Sequence, residues 1–400
     1  MTRHTLTREG LVPHPTPTAQ HLASSGIREI LDLAVPLGDA VARLELGQPG
    51  FRTPTHIAEA AAVTVFDDGG YTQSSGTFAL RTAIAESLGR RYGTVPPIER
   101  IIVTQGGAQG ITASYEAIVG PGDEVILPDP AWPNYETLAH LRGATPVRYP
   151  LRIENGYVPD PREIEALITD KTRLIVLNSP GNPTGAVAPR EVIRDIVETA
   201  AARGIMVLSD EVYDELIFDG EPANANEFAP DSVISVFSFS KTYAMTGWRV
   251  GYLLIPAWLS STLGHIQESS ISCVSSVSQS AALAALSGPQ TPVDDMRAAY
   301  RERRDQVVAL LAAAGIAVRP PDGAFYLMVP LADGVDSRLA ALDLVRHGVS
   351  VAPGTAFGTE AASQVRISLA SDAATTALGL DRFIRWYEST AGGATMGGQQ

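Results

Sequence analysis

SVISVFSFSKTYAMTGWRVGY, at residues 232–252, is the most informative stretch of this chain. An apolar strand runs into Ser238 and Lys241, and Arg249 precedes a second apolar strand. A charged amine at the end of a buried strand is unfavourable, because burial disfavours the ammonium form. That cost disappears if the amine forms a Schiff base with a carbonyl cofactor. Ser238 and Arg249 supply the hydroxyl and the forked cation that hold a phosphate. The alternative is a lysine in a surface loop.

A second apolar strand, in MVLSDEVY at residues 206–213, also ends in polar side chains. It delivers Asp210 and Tyr213 to its carboxyl end, which is the edge where open α/β sheets bind ligands. A carboxylate there can pair with a protonated ring nitrogen, and a tyrosine hydroxyl can bind a phenolate oxygen. Taken alone, Asp210 and the neighbouring Glu211 fit a helix cap or a metal site as well as they fit a cofactor site.

Two further turns follow predicted strands. LIVLNSPGNPTG, at residues 174–185, projects Asn182 over the same edge, although on its own it is an ordinary turn. IIVTQGGAQGI, at residues 101–111, indicates a strand, paired glycines and a helix, which is an anion-binding arrangement. The free N–H groups in it belong to Gly107, Ala108 and Gln109. Its spacing is not that of a dinucleotide-binding or nucleoside-triphosphate-binding glycine loop.

Apolar runs alternate with helix-period segments between residues 98 and 255. Strands are predicted at 100–104, 124–127, 145–149, 174–178, 206–209, 232–237 and 251–255, and helices at 108–119, 161–168 and 189–203. This alternation predicts βαβ units and a sheet covered on both faces. A helix at 25–37 and a strand at 41–47 precede it. After residue 290, helices at 294–314, 338–347 and 373–389 and short strands predict a smaller α+β domain.

We therefore expect four parts along the chain. Residues 1–45 would form an N-terminal arm and part of the small domain, and residues 46–290 the large cofactor-binding domain. Residues 291–390 would form the C-terminal small domain, and residues 391–400 a disordered tail.

The composition excludes several classes of protein. With 30 Lys plus Arg against 44 Asp plus Glu, the net charge of −14 disfavours nucleic acid or a membrane surface as a partner. The single cysteine, Cys273, cannot form an intramolecular disulfide and favours a reducing compartment, with the cytoplasm as the expected location. No apolar run approaches about 18 residues, and the N-terminus lacks the apolar region of a signal peptide. The seven histidines show no metal-ligand spacing, so no metal is predicted.

Taken together in chain order, these motifs resemble those of the fold-type I pyridoxal phosphate enzymes. Over roughly residues 40–390 the sequence resembles the class I/II aminotransferases, the aspartate aminotransferase-like superfamily. The resemblance implies an α/β fold with a large transferase domain, a mostly parallel seven-stranded sheet flanked by helices, and a smaller α+β domain. It implies pyridoxal 5'-phosphate as cofactor and ping-pong transamination of an L-amino acid with a 2-oxo acid.

The resemblance also implies roles around the cofactor. Lys241 would be both the Schiff-base partner and the proton shuttle. Asp210 would keep the pyridine nitrogen protonated, so that the ring acts as an electron sink. Tyr213 and Asn182 would bind the phenolate oxygen of the ring. The phosphate would be held by Ser238, Ser240 and Arg249, with the backbone amides of Gly107, Ala108 and Gln109.

Other matches concern the substrate and a second subunit. Trp132, in LPDPAWPNY, matches the aromatic residue stacked on the cofactor ring, although a core tryptophan is the alternative. Arg366, inside an otherwise apolar strand, matches the clamp on the substrate α-carboxylate, and Gly47 the glycine whose backbone approaches that group. Trp132 and Asn182 would also border the substrate. Tyr71 resembles the tyrosine that reaches the phosphate of the neighbouring subunit, which implies a homodimer with shared active sites.

The substrate side chain is less well defined. Between Arg249 and Arg297 there is no lysine or arginine, and Ala108 stands where some aspartate-specific relatives carry a lysine. A general transaminase, or one for neutral or aromatic amino acids, is therefore favoured slightly over strict aspartate specificity, and the N-terminal segment is another source of a cation. A β-lyase, cyclopropane-forming synthase or oxidase on the same scaffold is the main alternative. A nicotinamide oxidoreductase is disfavoured because its glycine fingerprint is missing.

Overall fold

The structure is a computed structural model that describes residues 16, 19, 22, 25–67 and 70–396. The strands are β1 (Ala42–Arg43), β2 (Ile101–Thr104), β3 (Glu124–Asp129), β4 (Thr145–Pro150), β5 (Thr172–Asn178), β6 (Met206–Asp210), β7 (Val233–Ser238), β8 (Gly251–Leu254), β9 (Tyr326–Pro330), β10 (Val349–Ser350), β11 (Ala352–Pro353) and β12 (Gln364–Ser368). The α-helices are α1 (Gly26–Ala34), α2 (Thr55–Asp67), α3 (Phe78–Tyr92), α4 (Gly106–Ile118), α5 (Asn134–Leu141), α6 (Pro161–Ala166), α7 (Arg190–Ala202), α8 (Phe239–Thr242), α9 (Ser260–Ile271), α10 (Ser276–Ser287), α11 (Thr291–Ala313), α12 (Ser337–Arg346) and α13 (Ala373–Met396).

The large sheet has the strand order β2-β8-β7-β6-β5-β3-β4. Neighbouring strands from β7 to β4 are parallel, and β8 runs antiparallel to both of its neighbours. The apolar strands are buried because helices cover both faces of the sheet: α4 packs on one face through Ile111 and Tyr115, and α7 on the other through Ile193 and Val197. The predicted mostly parallel, seven-stranded α/β sheet is confirmed.

Strand register brings polar residues to one edge of this sheet. Asn178, the last residue of β5, lies beside Asp210, the last residue of β6. Asp210 in turn lies beside Val236 of β7, two residues before Ser238. Because these strands are parallel, their carboxyl ends form a common edge, where ligands bind in open α/β sheets.

The segments after residue 290 form a smaller α+β layer. Strands β9, β12 and β11 make an antiparallel sheet, and β1 pairs with β10 in parallel. Ile30 and Leu44 share an apolar core with Leu344 and Phe383, so the chain before residue 46 packs with the C-terminal segments. The domain boundaries themselves stay a prediction.

Several local predictions differ from the structure. Helices α2, α3, α5, α9 and α10 were not expected, because alanine, serine and valine residues around α2 and α10 leave no apolar stripe of helical period. The strand predicted at 41–47 shortens to Ala42–Arg43, since the chain beyond it turns towards the sheet edge. The helix α13 ends at Met396, and residues 397–400 of the predicted tail lie outside the described residues. Most of the first 24 residues of the expected N-terminal segment 1–45 lie outside the described residues. Within the described ranges, no helix is both long and apolar enough to cross a membrane.

Gly251 joins the sheet to the glycine turn that begins α4. A Cβ at Gly251 would lie 2.6 Å from the Phe237 carbonyl oxygen and 3.0 Å from the backbone of Gly106 and Gly107. We predict that Gly251→Ala lowers stability by about 1–3 kcal/mol, because backbone atoms cannot move aside cheaply. Chemical denaturation measures this change. Gly264→Ala, in α9, is the control, since no atom of the described residues lies within 4 Å of a Cβ at that position. An equal loss of stability in both variants would contradict this explanation.

Candidate active site

A cavity of about 640 Å³ opens at the carboxyl edge of β5, β6 and β7. It lies between the large sheet and residues of the smaller layer. Twelve of the fourteen site residues that the sequence predicts line it: Gly47, Gly107, Ala108, Trp132, Asn182, Asp210, Tyr213, Ser238, Ser240, Lys241, Arg249 and Arg366. The structure therefore brings together side chains that are more than 300 residues apart in the chain.

Lys241 enters the cavity from the short helix α8, directly after β7. The Ser238 hydroxyl caps that helix by accepting a hydrogen bond from the Ser240 amide at 3.2 Å. The Lys241 Nζ donates to the Gly47 carbonyl oxygen at 2.5 Å. Burial, together with the nearby Arg366 and Arg249 guanidinium groups, lowers the pKa of Lys241 to about 8, while the Asp210 carboxylate opposes this shift. An amine in this environment loses its proton more easily than a surface lysine.

Asp210 is a buried carboxylate with strong hydrogen-bond donors. Its Oδ2 accepts from the Tyr135 hydroxyl at 2.5 Å, and its Oδ1 accepts from the Val212 amide at 3.3 Å. Burial raises the pKa of Asp210 to about 6, although the bond from Tyr135, the Val212 amide and the Lys241 charge work against that rise. The carboxylate is therefore mostly ionised above pH 6. The Asn178 side chain holds the backbone of Asp210 in place by donating to its carbonyl oxygen at 2.9 Å.

Arg366 reaches the cavity from β12, where its side chain is fully enclosed. Its guanidinium donates to Asn182 Oδ1 at 2.7 Å and to the Glu45 carbonyl oxygen at 2.5 Å. It lies over the Tyr326 ring at 4.2 Å and the Phe357 ring at 4.7 Å. The buried Nε of Arg366 has no hydrogen-bond partner among the described residues. Both acceptors are neutral, so the charge of the guanidinium is available to an anion.

Tyr213 and Tyr326 form a hydroxyl pair at the wall of the cavity. Their hydroxyl oxygens are 2.8 Å apart, and burial raises the pKa of Tyr213 well above its ordinary value. Tyr326 also explains why residue 47 is a glycine, because a Cβ there would overlap the Tyr326 hydroxyl. The phenol of Tyr213 thus stays protonated and can donate a hydrogen bond.

The glycine turn and Arg249 meet at the other end of the cavity. Gly106 has a φ of +77°, and a Cβ on it would lie 2.8 Å from Arg249 Nη2. Arg249 itself has a φ of +53° and donates from Nη1 to the Thr246 carbonyl oxygen at 2.9 Å. The strained backbone holds a guanidinium beside the N-terminus of α4, which is where an anion binds best.

Two predicted residues lie elsewhere. Gln109 does not line the cavity; its side chain accepts from the Gln105 amide at 3.0 Å and donates to Gln267 at 2.8 Å. Tyr71 is 94% exposed and does not line the cavity of its own chain. Trp132 does line the cavity, with its ring edge-on to Tyr135 at 5.5 Å.

Sequence reasoning missed three residues that organise the site: Asn178, Tyr135 and Tyr326. Tyr135 lies three residues after Trp132 in AWPNY, and Tyr326 is the last residue of the sequence GAFY at 323–326. No spacing rule links Tyr135 to Asp210 or Tyr326 to Tyr213. Among the described residues, no group of three or more His, Cys, Asp or Glu side chains could hold a metal ion.

Comparisons with known proteins agree with this architecture. The family described as aminotransferase class I and II matches residues 40–383. The aspartate aminotransferase of Pyrococcus horikoshii is 39% identical, covering 87% of this chain and 90% of the relative. The arginine–pyruvate transaminase of Pseudomonas aeruginosa is also 39% identical, covering 84% and 87%. The structure of the Thermus thermophilus aspartate aminotransferase with maleate has a TM-score of 0.90 at 34% identity, covering 94% of this chain and all of that one.

The fold and the cavity are those of an α/β enzyme whose polar groups converge at the carboxyl edge of a sheet. The chain belongs to the aminotransferase class I and II family, and it is an aminotransferase. Enzymes of this family depend on pyridoxal 5'-phosphate.

Glu211, next to Asp210, makes the stability of the site depend on pH. Its carboxylate accepts from the Ser209 hydroxyl at 2.7 Å, and burial raises the pKa of Glu211 from 4.5 to about 8. A raised folded-state pKa contributes stability below about pH 4.5, and this contribution is lost as the pH rises through 8. We predict that the difference in melting temperature, Glu211→Gln minus wild type, increases between pH 6 and pH 9.

The change of this melting-temperature difference with pH is the informative quantity, because replacing the carboxyl by an amide adds the same offset to the difference at every pH. Glu191→Gln, an exposed glutamate of α7, is the control and should show a flat difference. A flat difference for Glu211→Gln as well would show that its carboxyl titrates normally.

Proposed function

We propose that this chain catalyses transamination of an L-amino acid with a 2-oxo acid by a ping-pong mechanism, with pyridoxal 5'-phosphate as its cofactor. The observation that carries the proposal is the enclosed Lys241 amine, which borders the cavity with its Nζ 2.5 Å from the Gly47 carbonyl oxygen. The same cavity contains a buried carboxylate, Asp210, and the guanidinium groups of Arg249 and Arg366 at separate places in its wall. Few other chemistries need a lysine, one carboxylate and two separate anion sites in one enclosed space.

The residues present fit this cofactor. Hydroxyls of Ser238 and Ser240, the Arg249 guanidinium and the glycine turn provide donors for a phosphate at one end. The side-chain-free Gly106 and Gly107 leave room there that a Cβ would fill, as the 2.8 Å approach to Arg249 shows. When bound, the cofactor supplies an aldehyde that takes up the amino group and a ring that withdraws electrons from the substrate Cα.

Lys241 would hold the cofactor aldehyde covalently until the substrate amino group displaces it, and its freed Nζ would then move the Cα proton. Both tasks need a neutral amine, and with a pKa of about 8 roughly a tenth of the amine is neutral at pH 7, far more than for a surface lysine. The Gly47 carbonyl, at 2.5 Å, orients Nζ between steps. The low pKa follows from burial and from the two guanidinium groups, so the same cations that bind anions also activate the amine.

Asp210 and Tyr213 would set the charge of the cofactor ring. The Asp210 carboxylate, ionised above pH 6, can accept from a protonated ring nitrogen, and the bond from Tyr135 fixes its orientation. The protonated phenol of Tyr213 can donate to the oxygen substituent of the ring. Trp132 lines the same cavity and supplies a flat apolar surface for stacking.

Arg366 would clamp the α-carboxylate of the substrate. Burial lowers the pKa of its guanidinium, but an arginine stays charged at any physiological pH. Asn182 and the Glu45 carbonyl hold the group in place through neutral contacts, and its Nε has no hydrogen-bond partner in the part of the chain that the structure describes. A carboxylate would satisfy this donor and balance the buried charge.

We also propose that the enzyme is a homodimer with shared active sites. An apolar surface around α2 and the start of α3 supports this, because Phe66 is 88%, Tyr71 94% and Phe78 67% exposed. Large exposed aromatic groups of this kind mark protein interfaces. Tyr71 would then reach the phosphate end of the neighbouring cavity.

The single cysteine of the chain supports the cytoplasm as the place of action.

Half-reactions test the proposed function directly. The purified holoenzyme is mixed with single amino acids in the absence of any 2-oxo acid, and its absorbance spectrum and products are followed. One equivalent of 2-oxo acid per subunit, with a spectral change that a second 2-oxo acid reverses, is expected. Release of ammonia with no reversal would instead favour a lyase or an oxidase.

We predict that Lys241→Ala folds but loses about 10³-fold or more of its turnover, because no other described group in the cavity can act as the amine. The steady-state rate and the melting temperature are measured together. The chain contains one other lysine, the exposed Lys171, so Lys171→Ala is a matched control that should keep full activity. Normal turnover of Lys241→Ala would contradict the role of Lys241 as the catalytic amine.

Shared active sites predict complementation between two inactive variants. Tyr71→Ala and Lys241→Ala chains are produced together, so that hybrid dimers contain one native site each. Statistical mixing should restore about a quarter of wild-type activity, since half of the dimers are hybrid and half of their sites are intact. Activity no greater than the sum of the separately produced variants would mean that Tyr71 acts only within its own subunit or not at all.

A further inference from the structure

A loop of the smaller layer, residues 354–363 between β11 and β12, contacts Arg366 without lining the cavity. The Phe357 ring of this loop is buried, and its centre lies 4.7 Å from the Arg366 guanidinium. The Tyr326 ring contacts the same guanidinium at 4.2 Å. The orientation of the guanidinium therefore depends on where the 354–363 loop holds the Phe357 ring.

The loop is held by Asp129, the last residue of β3 in the large sheet. The Asp129 carboxylate accepts from the Thr359 amide at 3.1 Å, from the Thr359 hydroxyl at 2.7 Å and from the Glu360 amide at 3.2 Å. The Phe357 carbonyl oxygen accepts in turn from the Ala131 amide at 2.8 Å. These hydrogen bonds join the carboxyl end of a large-sheet strand to the loop that contacts Arg366.

The burial of Asp129 shows that its carboxylate is matched to this loop. The residue is 3% exposed, and Arg148 Nη1 lies 3.4 Å from its Oδ2. A buried carboxylate needs donors that replace water, and the loop supplies three of them. Gly358 allows the close approach, because it has a φ of +146° and a Cβ there would overlap Asp129 Oδ1.

The segment that follows Asp129 leads directly to the cofactor end of the cavity. Trp132 lines the cavity, and the Asp129 carbonyl oxygen accepts from the Leu151 amide at 2.7 Å, which fixes the segment on the large sheet. Residues 129–132 therefore hold the Trp132 ring at one end and the 354–363 loop at the other. This connection sets where Arg366 lies relative to Trp132.

We propose that Asp129 is a positioning residue, which acts through the 354–363 loop and the Phe357 ring to orient the Arg366 guanidinium towards a carboxylate in the cavity. This rests on the proposed function, in which Arg366 binds the substrate α-carboxylate. Asp129 does not line the cavity, so its effect on a ligand is indirect. Without its carboxylate, Arg366 stays on β12 but is less well oriented, and affinity for the carboxylate falls.

The first test measures binding without turnover. The dissociation constant of butyrate, a carboxylate without an amino group, is measured by calorimetry for the holoenzymes of wild type, Asp129→Ala and Asn224→Ala. Asn224 is a matched control because it is also 3% exposed and accepts from a backbone amide, that of Asn226 at 2.9 Å, but does not line the cavity.

The dissociation constant should rise about 10-fold in Asp129→Ala and stay unchanged in Asn224→Ala. Thr359→Val removes only the hydroxyl donor, so it tests the same contact if Asp129→Ala does not fold, with an expected rise of about 3-fold. Equal affinities of wild type and both of these loop-contact variants, or no butyrate binding by wild type, would overturn the proposal.

A double-mutant cycle tests whether Asp129 acts through Phe357. Phe357→Leu keeps an apolar side chain but removes the ring that contacts Arg366, so it should also weaken butyrate binding. The double variant Asp129→Ala/Phe357→Leu should bind butyrate only slightly more weakly than the weaker of the two single variants. Effects that multiply fully would show that the two residues act independently, which contradicts the proposal.

The affinity for pyridoxal 5'-phosphate is a second measurement, which a general loss of structure would change. Its dissociation constant should stay within about twofold of wild type in Asp129→Ala, because sites that share no contacts respond independently. Equal weakening of cofactor and butyrate binding would overturn a specific positioning role. The butyrate result holds even if no amino acid gives a half-reaction, in which case only transamination fails.

Discussion

The placement of a lysine amine in an enclosed, positively charged cavity is the constraint on which the rest of this structure depends. Burial and two guanidinium groups lower the pKa of Lys241 to about 8, and one carboxylate, Asp210, offsets part of that effect. A free lysine in such a place would cost stability. Other groups of the cavity give this amine a function. The Gly47 carbonyl orients it, and Arg249 and Arg366 provide anion sites in the same cavity.

The architecture explains how these groups meet. Parallel strands β5, β6 and β7 end at one edge and deliver Asn178, Asp210 and Ser238 in register. The smaller layer closes the cavity from the other side with Arg366 and Tyr326, and α1 adds a third wall. Each element contributes few side chains, so the site depends on the packing of the two layers.

Much of this was predictable from sequence, for a physical reason. Continuous apolar runs identify buried parallel strands, and polar residues directly after them must lie at one edge, so Asp210 and Lys241 were predicted together. The Tyr135–Asp210 and Tyr213–Tyr326 contacts were not predicted, because each joins residues 75 or 113 positions apart through packing that no local pattern records. Helices such as α2 and α10 escaped because their small residues lack a 3.6-residue period.

Chemical trapping tests the central claim most directly, because the chain has only two lysines, Lys171 and Lys241. The holoenzyme is reduced with borohydride, digested, and its peptides are mapped by mass spectrometry. The account predicts that the reduced cofactor is attached to Lys241 and that the exposed Lys171 stays unmodified. A label on Lys171 or on the N-terminal amine, with none on Lys241, would contradict it.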